Sequence, residues 1–259
     1  MPKARFVLMG CGASGGVPII GNYWGACDPK EPRNIRTRSS AFIQTDSTTV
    51  LIDTGPDFRE QCNKHKIEDM DAVLYTHSHA DHTHGIQELS ILRRIQDRRF
   101  PIYTNAQTLA ELKLQFSFMF DDKHSHLYPS ALEENLITPY EQFTIGDIDI
   151  MSIEQDHGTM TTLGFRFGDL AYSTDMKSLD DKAINALKGI KTWFVDAGAY
   201  QNAENYVHAH IGKVYELNEQ VGAEEVYIMH LPVTMDYQTV EAELKDGYAM
   251  AYDGLTLTF

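Results

Sequence analysis

Short apolar runs recur along this chain, and most are too brief and too rich in β-formers to be helices. Phe6-Val7-Leu8-Met9 and Asp71-Ala72-Val73-Leu74-Tyr75 read as buried strands, and Ala41-Phe42-Ile43-Gln44 with Thr49-Val50-Leu51-Ile52-Asp53 reads as a hairpin turning at Asp46-Ser47. The same pattern predicts strands at 100–104, 148–154, 169–173, 192–196, 225–229, 249–252 and 255–259. Helical periodicity marks the stretches between them: a helix from Asp57, its cap, through His65, then 86–95, 106–116, 180–188 closed by Gly189, 213–221 closed by Gly222, and 238–245. Mixed strands and helices without a Pro/Ser/Gly-rich linker or a shift in composition predict one α/β domain spanning 1–259. Residues 116–139 fit no clean period and read as a lid or subunit contact, which makes a homodimer a candidate assembly.

The candidate chemistry lies where strands end. Directly after the run at Asp71–Tyr75 comes Thr76-His77-Ser78-His79-Ala80-Asp81-His82-Thr83-His84-Gly85. His77 and His79, two apart, project to one side of an extended loop, while Asp81 and His82 reach a second point. That spacing suggests two metals. Imidazole and carboxylate suit zinc, manganese or iron, and two such ions about 3.5–4 Å apart form a known hydrolytic device. Three later strands also end in metal-competent residues, His157, Asp175 and His230. Singly each is an ordinary cap or core group, but together with the loop they make five histidines and two aspartates. His124 and His126 lack a preceding strand and read as surface histidines.

The glycine-rich loop Gly10-Cys11-Gly12-Ala13-Ser14-Gly15-Gly16-Val17-Pro18 is neither a Walker A sequence nor a clean GxGxxG. Its glycines permit positive φ, so Gly12, Ser14, Gly15 and Gly16 are candidates to aim N–H groups at a substrate anion. Arg33, Arg36 and Arg38 form the densest positive patch of the first half and could offset phosphate charge. Elsewhere the chain is acidic, with a net charge of -15, which argues against a non-specific grip on nucleic acid or an anionic membrane. Cys11, Cys27 and Cys62 form no CxxC pair, and no run approaches the ~20 apolar residues of a membrane span. A cytoplasmic protein is expected.

The motif His77-x-His79-x-Asp81-His82, followed in order by His157, Asp175 and His230, resembles the ligand set of the metallo-β-lactamase superfamily. The resemblance implies a four-layer αββα sandwich with two divalent metals, zinc or manganese with iron as a further option, at one edge of its sheets. His77, His79 and His157 would hold one ion, and Asp81, His82 and His230 the other. Asp175 would bridge. Within the superfamily the glycine loop, the Asp53-Thr54-Gly55-Pro56-Asp57-Phe58-Arg59 stretch and His208-Ala209-His210 are most similar to phosphodiesterases that open cyclic phosphate esters, such as phosphoribosyl 1,2-cyclic phosphate. By the same likeness His210 matches the catalytic histidine, His208 supports its loop, and Asp81 serves catalysis as well as a metal. A cysteine cluster that binds a structural zinc in such enzymes is reduced here to Cys27, so no extra zinc site is expected. The expected partner is a small phosphodiester. A tRNA 3′-processing nuclease and a non-catalytic metal-binding scaffold are the alternatives, while redox members carry Glu where this chain has His79.

Overall fold

A computed structural model describes residues 3–121 and 129–259. The first sheet is built from β1 (Arg5–Gly10), β2 (Ser40–Gln44), β3 (Thr49–Ile52), β4 (Ala72–Leu74), β5 (Phe100–Thr104) and β6 (Leu132–Leu136), between which run α1 (Phe58–His65), the single turn α2 (Ala80–Thr83), α3 (Glu88–Gln96) and α4 (Ala106–Gln115). The second holds β7 (Gln142–Ile145), β8 (Ile148–Asp156), β9 (Thr161–Phe167), β10 (Leu170–Ser173), β11 (Thr192–Asp196), β12 (Glu225–Met229) and β13 (Tyr248–Met250), with α5 (Asp181–Leu187), α6 (Ile211–Val221) and α7 (Tyr237–Glu241) between its later strands. The last strand, β14 (Leu255–Thr258), returns to the first sheet, and the strand orders are β14-β1-β2-β3-β4-β5-β6 and β13-β12-β11-β10-β9-β8-β7.

The apolar runs fail to alternate because both faces of the first sheet are buried. Successive side chains point to opposite faces, so Phe6, Leu8, Ala41, Ile43, Val50, Ile52, Ala72 and Leu74 pack toward the second sheet, in one cluster with Phe165, Tyr172, Trp193 and Phe194. Their neighbours Val7, Met9, Phe42, Leu51, Val73 and Tyr75 join Phe58, Leu89, Leu109 and Leu112 of α1, α3 and α4 in a second cluster. Residues of α5, α6 and α7 cover the other sheet. The result is the four-layer αββα sandwich that the resemblance implied.

The strands and helices expected from the sequence all appear, with shifted ends. Helix α6 begins at Ile211 rather than 213, and α7 stops at Glu241. Strands β6, β7 and β9 were not anticipated: β6 carries Glu133, Glu134 and Asn135 among its five residues, a poor β-signature that parallel pairing to β5 overrides. Asp57 occupies the cap position of α1 without capping it, because its carboxylate accepts from the Arg38 amide at 2.8 Å and pairs with Arg38 Nε at 2.9 Å. Of residues 116–139, Ser117–Met119 form one 3-10 turn, and 122–128, with His124 and His126, lie outside the described residues. No helix among those described is long and apolar enough to cross a membrane.

Candidate metal centre

Strands of both sheets end at one edge, and the candidate ligands stand just beyond those ends. After β3 comes Asp53, after β4 the His77–His82 loop with α2, after β8 His157, after β10 Asp175, and after β12 His230. Asp53, Asp175 and His230 have φ of 61°, 47° and 60°, left-handed conformations that Asp and His tolerate better than most side chains, and the sharp turn swings each side chain back over the sheet edge. The motif loop is clamped from behind: Thr54 N donates to His82 O at 2.8 Å and Gly85 N to Thr54 O at 2.7 Å. A Cβ at Gly55 would strike the Asp81 carbonyl, and one at Gly85 the Gly55 carbonyl, so glycine is required for this approach.

Two donor sets result. In the first, His77, His79, His157 and Asp175 offer ligand atoms all within 4.8 Å of one another, and in the second Asp81, His82, Asp175 and His230 do the same. Asp175 faces both sets with one oxygen each. Its Oδ1 lies 3.9 Å from His77 Nε2 and 3.7 Å from His157 Nε2, while Oδ2 lies 3.0 Å from His82 Nε2 and 3.2 Å from His230 Nδ1.

The histidines are aimed by their second nitrogens, as ligands usually are. His82 Nδ1 donates to Asp53 Oδ2 at 2.7 Å, and Asp53 is saturated by the Thr76 amide and hydroxyl. His157 Nδ1 donates to the Val207 carbonyl at 2.8 Å. With Nδ1 donating to Asp53, His82 Nε2 faces the Asp175 and Asp81 carboxylates, 3.0 and 3.3 Å away, a contact made favourable by a metal ion between them or by a proton on Nε2. His77 and His82 are fully buried, yet neither Nε2 has a hydrogen-bond partner. Orphaned buried nitrogens aimed at shared carboxylates fit a divalent metal well. The titration directions divide the set: His77 and His157 are held neutral and Asp175 and Asp81 ionised, while His82 is driven toward its charged form. Burial pushes His77 and His157 down. Burial alone would raise Asp175 and Asp81, but the surrounding imidazoles hold both below the usual carboxylate range. His82, depressed by its burial, is carried upward by the carboxylates of Asp175, Asp81 and Asp53.

The two remaining histidines lie in different surroundings. His210 is the N-cap of α6, its Nδ1 accepting from the Lys213 amide at 3.3 Å, and no contact among the described residues ties its ring to the donor sets. His208 instead stacks on His230 with ring centroids 4.7 Å apart and meets His157 at 5.1 Å. Its Nδ1 donates to Asp196 Oδ2 at 2.7 Å; burial would lower its pKa, but the Asp196 carboxylate lifts it to about 9. The family likeness points to His210, and its place directly before α6 commits its ring to capping.

The glycine loop adjoins the centre but is mostly spent on its own packing. Gly12 N donates to Thr37 O at 2.8 Å and Gly16 N to Ala13 O at 2.8 Å, so these two amides cannot cradle an anion; the amides of Ser14 and Gly15 have no acceptor among the described residues. Ser39 links loop to centre, its hydroxyl 3.0 Å from Gly12 O and 3.3 Å from His230 Nδ1. The arginines are largely committed too. Arg33 pairs with Glu31 and lies over Tyr237, buried Arg36 binds Asn34 and the Pro232 carbonyl, and Arg38 pairs with Asp57. The sequence alone assigns no role to Asp53, which enters only within a family-like stretch, or to Asp196 and to Glu111, whose carboxylate takes the Ser78 hydroxyl. Asp53 and Asp196 follow or end apolar strands as the ligands do, a signal that could have found them.

A family model described as "Beta-lactamase superfamily domain" matches residues 48–231. An octanoyltransferase of Porphyromonas gingivalis is 30% identical over 255 residues, 97% of this chain but only 51% of that protein, so the chain spans about half of it. Exodeoxyribonuclease WalJ of Streptococcus pneumoniae is 27% identical over 179 residues, covering 65% of this chain and 56% of its own length. Among solved structures, a diphosphatase from the PhnP family superimposes with a TM-score of 0.87 at 31% identity, covering 99% of this chain and 97% of that one.

Proposed function

The chain belongs to the β-lactamase superfamily, and from that premise we propose that it is a dinuclear metal-dependent phosphodiesterase acting on a small cyclic phosphodiester, phosphoribosyl 1,2-cyclic phosphate being the type of substrate favoured. The observation that carries this is the sharing of Asp175 between two donor sets whose buried His77 and His82 nitrogens lack partners. Three imidazoles on one side, and two imidazoles with a carboxylate on the other, suit zinc or manganese, with iron also permitted. Two such ions, when bound, supply Lewis-acid neutralisation of phosphoryl charge and a water acidic enough to attack near neutral pH.

The chain's own residues do the rest. Asp53 and the Val207 carbonyl fix the His82 and His157 rings, so the donors are set before substrate arrives. His208 lies against His157 and His230 and is held by Asp196 through Nδ1, which leaves Nε2 to hold a proton for the leaving oxygen. The free amides of Ser14 and Gly15 are the part of the glycine loop able to meet a phosphate oxygen. A tRNA-processing type of nuclease remains the runner-up, disfavoured by a net charge of -15. The octanoyltransferase name travels less easily, because this chain spans only 51% of that protein.

Metal-loaded protein assayed on a five-membered cyclic phosphodiester, a linear diester, a single-stranded oligonucleotide, a β-lactam and a thioester tests the proposal. Cyclic diester hydrolysis should lead. Lactam or thioester turnover without phosphodiesterase activity would overturn it, and faster cutting of the oligonucleotide would favour the nuclease.

A further inference from the structure

The carboxylate that both donor sets share is gripped by a residue outside them. Thr174, directly after β10 and fully buried, donates its hydroxyl to Asp175 Oδ2 at 2.8 Å. The turn itself does not need that hydroxyl. Gln155 Nε2 of β8 donates to the Thr174 carbonyl at 3.0 Å, Thr162 Oγ1 of β9 to the Asp175 carbonyl at 2.9 Å, and the Met176 amide to Asp196 Oδ2 of β11 at 2.9 Å. Side chains of other strands thus hold the backbone of 174–176, and the Thr174 hydroxyl acts on the Asp175 side chain alone.

The two oxygens of Asp175 are therefore unequal. Each carboxylate oxygen has two lone pairs to offer. On Oδ2 one is taken by Thr174, and the other is left for the second donor set, where His82 Nε2 and His230 Nδ1 lie 3.0 and 3.2 Å away. On Oδ1 no donor among the described residues takes either one, since His157 Nε2 and His77 Nε2 stand off at 3.7 and 3.9 Å, too far for hydrogen bonds. The sets also differ in charge. The first offers three imidazoles and no carboxylate of its own, whereas the second includes Asp81. Charge alone would draw both oxygens of Asp175 toward an ion in the first set, and turning Oδ2 that way breaks its bond to Thr174.

We propose that Thr174 is a positioning residue that keeps Asp175 a bridge, its hydroxyl preventing the carboxylate from rotating to serve the first ion with both oxygens; the inference rests on the dinuclear reading above and not on the identity of the ester. Partners that orient a metal ligand change metal affinity about 10- to 100-fold. Loss of the hydroxyl should therefore weaken the second ion by about 10- to 100-fold and spare the first.

The test titrates metal-stripped wild type, Thr174→Ser, Thr174→Val and Thr174→Ala with Mn(II) against a competing chelator, and electron paramagnetic resonance reads whether the bound ions are coupled. Wild type and Thr174→Ser should take two equivalents and give the exchange-coupled signal of a bridged pair. Thr174→Val should bind its first equivalent as wild type does, bind its second about 10- to 100-fold more weakly, and give the signal of isolated ions. Thr174→Ala, which adds no bulk, is read by the same criteria should the valine variant fail to fold. A coupled signal with wild-type affinity for both ions in the valine variant overturns the assignment, as does equal weakening of both ions or a serine variant that behaves like valine. A wild type that takes only one equivalent overturns the dinuclear reading itself, and this assignment with it.

Discussion

Removing the metals should destabilise this protein by an amount that its buried nitrogens define. His77 and His82 are fully buried, and their Nε2 atoms have no hydrogen-bond partner. In metal-free protein a proton lets His82 Nε2 pair with Asp175 Oδ2, 3.0 Å away, so the cost falls on His77 Nε2, about 1–3 kcal/mol for a buried polar atom left unpaired. Coordination removes that cost and also screens the carboxylates of Asp81 and Asp175 from each other. Only the folded chain assembles these donors, so binding free energy appears as folding stability. For a chain of this size 1 kcal/mol moves Tm by about 2–4 °C, which places the drop on chelation at roughly 2–12 °C. The assay is a thermal melt of metal-loaded protein, of protein stripped with chelator, and of stripped protein reloaded, with metal content measured in each. Stripped and loaded proteins that melt within a degree of each other, with two equivalents of metal demonstrably gained and lost, would refute the assignment of these nitrogens as ligands.

Asp175→Ala removes the carboxylate that faces both donor sets and should deplete both metals by elemental analysis; two full equivalents retained would show that it bridges nothing. His208→Ala should keep both metals yet lose about 10²–10⁴-fold in turnover, most on esters with poor leaving groups, whereas His210→Ala gives up a helix cap and about 1 kcal/mol in a denaturant melt; a larger turnover loss at His210 than at His208 would reverse the two roles. Gly55→Ala drives a Cβ into the Asp81 carbonyl and should destabilise by the upper end of ~1–3 kcal/mol or more while lowering metal content, and a wild-type melt would contradict the close approach of these loops. The carboxyl of Asp236, which burial alone would raise, is held down to about 2 by hydrogen bonds from the Asp28 and Thr239 amides and the Asn34 side chain. Its folded pKa being the lower one, its contribution is full above the ordinary carboxyl range and fades as pH falls through about 2. The Tm gap between wild type and Asp236→Ala should therefore close between pH 4 and 2, and a gap that widens on acidification would contradict it.

What the linear chain determined was the set of strands buried on both faces and the ligand types that follow them. Runs such as Phe6–Met9 and Ala72–Tyr75 could only be strands covered on both sides, because their side chains alternate between two apolar environments, and the histidine loop announced its chemistry by spacing alone. The sequence also held the signal for Asp53 and Asp196, placed after apolar runs as the ligands are. Tertiary structure decided everything that depends on which backbone hydrogen bonds are already made. Gly12 and Gly16 look free in a list of residues, and only the folded backbone, with Thr37 of a neighbouring segment and Ala13 of the loop's own turn as acceptors, reveals that their amides are spent. His208 and His210 differ by two positions and by nothing in composition, yet the start of α6 at Ile211 turns one ring into its cap and leaves the other stacked on His230. Strand β6, polar and unsuited to a strand by propensity, exists because β5 offers it a ladder of hydrogen bonds, an interaction between segments that no local pattern encodes.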